Sequence, residues 1–366
     1  MFAFTQFNRS TPRRALLLAL AACCLPLAAA PTTAGATSVT KTLARLQQRH
    51  EISKRKENMA VAAYDLARAV KHKVHGKRRK AMAWQIRMVE RMARRHQIDG
   101  DRVTPLFVTL GDNAKWFRRN GPRPQGTDRR FAGSRIIFEY FTGMGWQFHP
   151  LSNFAKLNAI WTVNTPPSRR AQRAYARELV SWGVHRGKAL VWEYYFPFGG
   201  SPAPYISSIS QGTAIQALAR VAFRMHNKQL KRAARRGLLA FETPATTGVR
   251  LRRDGGFHYL GYSGNKHYII LNMFLQAIDA IHDYALITND RQGRVLYKRG
   301  VAAALKETPE FDTGSWSLYS LGGEKSTVAY HELTITFLGY LCDDTHDAVF
   351  CDTRDRFQKY LDDATK

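Results

Sequence analysis

Residues 269–286 read IILNMFLQAIDAIHDYAL. Within this run Ile270, Met273, Phe274, Ala277, Ile278 and Ile281 recur at helical steps and gather on one side of a helix. Weaker versions of the same period predict helices over 169–184, 206–225, 228–241, 294–305 and 330–341. Between them, 249–252 and 257–262 are short enough to form small hairpins. The expected class is mainly α: helix pairs joined by aromatic-bearing loops, arranged as an α/α toroid (an incomplete helical barrel) with short β-hairpins.

Toward the N-terminus the composition changes. The chain has 366 residues, 45% of them hydrophobic, so a sizeable core is available, and its 56 Lys+Arg against 28 Asp+Glu give a net charge of +28. Residues 31–130 alone hold 24 Lys+Arg against 8 Asp+Glu. Leu43, Leu46, Ala60, Ala63, Leu66 and Val70 recur there at roughly helical spacing, which predicts a basic helical region. Lys77-Arg78-Arg79-Lys80 is expected to interrupt it before a second helix over 82–95, and Gly121-Pro122-Arg123-Pro124-Gln125-Gly126 to form a linker. Such charge runs are most often solvated helix faces. The alternative is attachment of residues 41–95 to an anionic surface or polymer. Nucleic acid is disfavoured, because the run lacks interleaved aromatics and the chain carries an export signal.

That signal is read from Arg9, Arg13 and Arg14 ahead of an apolar run from Ala15 to Ala29, followed by small residues through Ala36. Cleavage, anchoring and lipidation at Cys23 are open readings. The expected location is secreted, periplasmic or cell-surface. The expected organisation is a signal over 1–36, a basic helical region and linker over 37–130, and a helical domain over 131–366. Beyond the signal only Cys342 and Cys351 remain, and an oxidising compartment suggests that they pair.

Three segments combine polar and aromatic residues beyond what a plain core needs. They are Phe148-His149-Pro150 with Asn153, Pro202 to Gly212 with Tyr205 and Gln211, and Phe311-Asp312-Thr313-Gly314-Ser315 with Tyr319, Tyr330 and His331. Each has a structural reading of its own: Asp312-Thr313-Gly314 makes a good turn, and Ser207 or Ser208 a good cap. Their order resembles the C-terminal domain of the D-glucuronyl C5-epimerases. The elements carrying the resemblance are Tyr205 to Gly212, Tyr268-Ile269-Ile270-Leu271-Asn272, Asp312-Thr313-Gly314-Ser315 with Tyr319, and Tyr330-His331.

The resemblance covers roughly residues 139–342. It implies catalytic roles for Tyr262, Tyr319 and Tyr330, and substrate contacts for His149, Asn153, Tyr205, Gln211, Asn272, Asp312 and His331. It also implies a uronate-containing acidic polysaccharide as substrate, and no cofactor or metal. Where the family carries Glu-Glu-Tyr-Pro, however, this chain reads Leu260-Gly261-Tyr262-Ser263. Three readings follow: Glu332 or Glu193 replaces the acid, Tyr262 and Tyr330 suffice, or the domain binds glycan or performs β-elimination instead. Hydrolysis is least favoured, since no pair of carboxylates stands at motif positions.

Overall fold

Four helices among the described residues end on a histidine in the left-handed region, His50, His96, His226 and His346, with φ between 48° and 59°. The computed structural model describes residues 32–253 and 255–365. At His226 the turn closes as His226 N–H to the Phe223 carbonyl (3.2 Å) and Asn227 N–H to the Ala222 carbonyl (2.9 Å). This satisfies carbonyls that a helix end leaves bare. The export-signal reading of residues 1–36 falls almost wholly outside the described residues.

Twelve α-helices and seven short antiparallel strands are described, so the molecule is mainly α. They divide into two units. The first runs to Arg129 and includes Phe138–Gln147; the second comprises Arg130–Ile137 and the chain from Phe148 onward.

The first unit holds α1 (Thr32–Gln48), α2 (Lys54–Lys73), α3 (Gly76–Arg94) and α4 (Val103–Arg119). Lys77-Arg78-Arg79-Lys80 does not interrupt a helix; it forms the first turn of α3, and the break falls at Val74-His75. Val74 and His75 are extended, and the charged turn is carried into the helix by the apolar face that follows it, Ala81, Met82, Ile86, Val89 and Met92, all buried. Trp146 is clamped edge-on between Trp116 and Tyr140, ring centroids 5.3 Å from each. Asn113 holds its backbone from both sides, accepting from Trp146 N–H and donating to Trp146 C=O, each at 2.8 Å. Gly145 next to it has φ of 78°, and a Cβ there would lie 2.5 Å from the Asn113 Oδ1. No other residue fits that approach.

Strands β1 (Asp128–Arg130), β2 (Ile137–Phe141) and β3 (Gly145–Phe148) form one sheet in that order. The second unit continues with α5 (Pro150–Trp161), α6 (Pro166–Ser181), the hairpin β4 (Val184–Arg186)–β5 (Ala189–Val191), α7 (Ser208–Arg224) and α8 (Lys228–Leu238). Next come the hairpin β6 (Arg250–Arg253)–β7 (Gly256–Tyr259), α9 (Leu271–Thr288), α10 (Arg291–Glu307), α11 (Val328–Thr345) and α12 (Ala348–Ala364).

Helix α9 is the core helix that its sequence announces. Its inner residues Phe274, Ala277, Ile278 and Ile281 are fully buried. Helix α7 lies against it at Gly212, where a Cβ would come within 3.0 Å of Ala280. Polar rungs run from α5 across α7 to α9: Asn158 donates to Gln216, and Gln216 donates to Asp283, both at 2.7 Å. Arg220 pairs with the same Asp283 carboxylate. The disulfide Cys342–Cys351 ties the end of α11 to the first turn of α12. No helix of the described residues is long and apolar enough to cross a membrane.

Candidate active site

Tyr262 follows directly from β7, and its segment is bound to the one carrying Tyr205. Ile206 N–H donates to the Ser263 hydroxyl (3.1 Å), and Ser263 N–H donates to the Ile206 carbonyl (3.0 Å). Tyr205 is bridged in turn to Tyr194 by a pair of backbone hydrogen bonds of 2.8 and 3.2 Å. Tyr319 sits on a tight turn closed by its N–H to the Glu324 carbonyl at 2.8 Å. That turn is pinned beside the start of α9 by Leu321 N–H to the Ile269 carbonyl (3.0 Å). Tyr330 stands in the first turn of α11, its N–H reaching the Thr327 cap.

These attachments bring six tyrosines into one row. Tyr194 stacks on Tyr205 at 5.1 Å, and Tyr205 meets Tyr262 edge-on at 5.9 Å. Tyr262 stacks on Tyr268 at 5.9 Å, Tyr268 meets Tyr319 at 6.3 Å, and Tyr319 meets Tyr330 at 4.8 Å. Ring pairs of this kind add about 0.5–1.5 kcal/mol each beyond area burial, so the row is rigid before anything binds. The Tyr319 hydroxyl is within hydrogen-bonding reach of both Tyr262 and Tyr330.

Burial dominates the electrostatics. It raises Tyr262 and Tyr319 well above an ordinary phenol; neighbouring tyrosines add to the shift of Tyr262, and Tyr330 and Tyr268 to that of Tyr319, which the contact with Tyr262 opposes. Burial also raises Tyr330, with Tyr268 adding to it, while the contact with Tyr319 opposes; the result is about 12. Tyr330 is thus the most readily ionised member of the trio. His149 touches the far end of the row, its ring 5.2 Å from Tyr194. Burial lowers its pKa to about 4, so it is neutral, and its Nδ1 caps α5 by accepting from Ser152 N–H at 3.2 Å.

Residues 186–359 match the family model described as D-glucuronyl C5-epimerase C-terminus. A D-glucuronyl C5-epimerase of Caenorhabditis elegans is 25% identical over 179 residues, which cover 43% of this chain and 29% of that protein. Over residues 186–359 the chain is thus similar, at low identity, to the C-terminal part of that family. The chain spans less than a third of the curated relative it matches.

Within this epimerase-type region the residues expected at the site separate into two groups. Tyr205, Tyr262, Tyr319 and Tyr330 share the row, with His149 at its end. The others are tied into the frame. Asn153, fully buried, accepts from Ile137 N–H and from the Tyr175 hydroxyl and donates to the Ile137 and His149 carbonyls. Gln211 donates to the Leu190 and Gly237 carbonyls, and its Oε1 is buried without a partner. Asn272 is buried in the first turn of α9. Asp312 accepts from Gly314 N–H, Arg356 and the Tyr360 hydroxyl, anchoring the turn before Tyr319 to α12. His331 stacks on Trp316 at 3.8 Å, with Nδ1 2.7 Å from the Ser317 hydroxyl and Nε2 2.8 Å from the Phe357 carbonyl.

Tyr194 and Tyr268 belong to the row but were not among the expected site residues. The aromatic run Trp192 to Phe198 was the available signal for Tyr194, and the position of Tyr268 beside Asn272 for the second. Of the two replacement acids, Glu193 is buried in an ion pair with Arg186 at 2.7 Å, and Glu332 is exposed on α11. At the position of the family's glutamates, Leu260 is fully buried, and a Cβ on Gly261 would lie 2.8 Å from the Met273 sulfur.

Proposed function

We propose that the chain is an exported C5-epimerase acting on glucuronate residues of an acidic polysaccharide, with the Tyr262–Tyr319–Tyr330 trio as its proton-transfer machinery. The observation that carries the reading is the central place of Tyr319, in reach of the other two hydroxyls. Removing the C5 hydrogen of a uronate leaves charge on the adjacent carboxylate, so neutral donors beside it stabilise the intermediate. In this reading Tyr330, ionised, takes the C5 proton. Tyr262 gives its own proton to C5 from the opposite face, and the stereocentre inverts. Tyr330 is then neutral and Tyr262 ionised. Transfer of a proton from Tyr330 to Tyr319, and from Tyr319 to Tyr262, restores the starting state; the hydroxyl protons of the trio exchange with water between turnovers, so C5 takes up solvent deuterium.

Export is supported by the Cys342–Cys351 bond, which belongs to oxidising compartments. The basic first unit supplies electrostatic attraction to an anionic polymer or surface through α1, α2 and α3. No cofactor enters this scheme.

One observation favours a second reading, a glycan-binding unit without turnover: all three hydroxyls hold their protons more tightly than a free phenol. Incubation with a glucuronate polymer in deuterated water separates the cases. An epimerase places deuterium at C5 and leaves chain length unchanged. A lyase working through the same first step produces ultraviolet-absorbing unsaturated ends. A binder does neither, and that outcome across several uronans would remove the catalytic reading.

A further inference from the structure

Away from the tyrosine row, three guanidiniums surround one ring. The Arg250, Arg252 and Arg299 groups lie 4.9, 5.9 and 5.8 Å from the centre of Phe257. Arg250 and Arg252 stand two apart on β6, and Arg252 pairs across the ladder with Phe257 on β7. Side chains two apart on a strand share a face, so the hairpin itself aims both at the ring. Arg299 comes from α10. Phe257 is half-buried, while Arg252 and Arg299 are exposed.

Among the described residues, the nearby carboxylates face other partners: Arg253 lies 3.5 Å from Glu307 and 3.8 Å from Glu310, and Glu307 is also bonded to His258 at 2.7 Å. Among the described residues, none of the three arginines around Phe257 makes an ion pair. Each cation gains about 0.5–1 kcal/mol from the ring at an exposed site. Like charges held this close repel by a comparable amount in water. The cluster therefore has little net reason to exist for stability alone, and an anion placed among the guanidiniums would remove the repulsion while gaining charge-assisted, bidentate hydrogen bonds.

We infer that Arg250, Arg252, Arg299 and Phe257 form an anion subsite that holds carboxylate or sulfate groups of a linear acidic polysaccharide. It flanks the residue presented to Tyr262. Phe257 and Tyr262 are five residues apart on one strand and its continuation, which limits their separation to about 17 Å. One polymer can span both. The assignment of this polymer as substrate rests on the epimerase reading; the arginine cluster as an anion site does not.

The test uses the full chain with four probes: an octasaccharide of alternating glucuronate and N-acetylglucosamine, dextran sulfate, neutral dextran, and phosphatidylserine vesicles. Arg250→Gln/Arg252→Gln/Arg299→Gln is expected to weaken binding of the octasaccharide by about tenfold and to flatten its salt dependence. Arg252→Gln alone, at an exposed position where misfolding is not a concern, is expected to weaken it by about threefold. Lys228→Gln/Lys231→Gln/Arg232→Gln on the exposed face of α8 removes the same charge and should change it less than about twofold. Equal losses in the two triple variants, or none in the first, would overturn the subsite. A loss confined to phosphatidylserine vesicles, with polymer affinity intact, would overturn the polysaccharide assignment. If the wild type labels no uronan at C5 while the arginine variant still loses dextran sulfate, the epimerase reading fails and the anion site stands. Labelling with unchanged affinities gives the reverse.

Discussion

The rings of Tyr319 and Tyr330 lie 4.8 Å apart at 42°, and their hydroxyls are in reach of each other. Tyr319 arrives on a turn fixed to α9 and Tyr330 on the first turn of α11, so two separate parts of the frame must hold for the pair to exist. Tyr319→Phe removes the middle hydroxyl and keeps the ring. The expected result is a fall in C5 exchange of about 10²–10⁴-fold, the usual range for a positioned acid or base. The melting temperature should move little, because the ring contacts remain. Steady-state exchange and thermal unfolding of the same samples check both halves.

The Tyr330 value of about 12 predicts a pH profile. The base must be ionised to act, so at neutral pH its active fraction is small and grows about tenfold per pH unit. Between pH 6 and 9, log rate should therefore climb with a slope near one (about one decade per unit). A flat profile in this window would show that another group, or a Tyr330 strongly shifted by substrate, takes the proton.

Gly199 tests how Tyr262 is seated. Its φ is 54°, and a Cβ there would lie 2.6 Å from the Tyr262 Cδ2. Gly199→Ala must move the ring or the loop, and should lower exchange by at least about tenfold. Gly187→Ala is the matched control: φ is 61°, yet a Cβ would meet nothing within 4 Å. Both substitutions carry the left-handed strain of about 1–2 kcal/mol, and only the first should reduce activity.

How much of this was legible in the sequence depended on whether one helix face sufficed to show it. Helix α9 was visible because Phe274, Ala277 and Ile278 all point to one core. Helix α4 was not, since Pro105, Gly111 and the buried Asn113 interrupt its apolar stripe and make sense only against Ala63 and Trp146. Helix α12 was missed for a similar reason, as Phe350, Thr353 and Phe357 are its few buried residues. At the site, the motif order located Tyr262, Tyr319 and Tyr330. Tyr194 joins the row only through its bridge to Tyr205, a pairing that sequence spacing does not reveal. Asp312 and His331 belong to the same motifs, yet their bonds run to Arg356, Tyr360 and Phe357, near a helix that the pattern did not show.

Asp279 gives a stability prediction independent of catalysis. Burial raises its pKa, with Asp283 and Asp344 adding and Arg220 opposing, to about 7. His282 faces the same group of charges, bonded to Asp344 at 2.7 Å and stacked on Tyr297. The folded state therefore binds a proton that the unfolded chain releases near pH 4. Stability contributed by this group is greatest at low pH and declines as pH rises from about 4 to about 7. Asp279→Asn should remove that decline and raise the melting temperature at pH 8 by several degrees (~4 °C or more). Unfolding measured across pH 4–8 in both proteins checks the sign.

The most direct measurement is deuterium incorporation at C5 of a glucuronate polymer in deuterated water, read by NMR for the wild type, Tyr262→Phe, Tyr319→Phe and Tyr330→Phe. The account predicts label and inversion in the wild type and loss of both in each variant, with the polymer uncut. Undiminished labelling in Tyr319→Phe, or none in the wild type with any uronan, would contradict it.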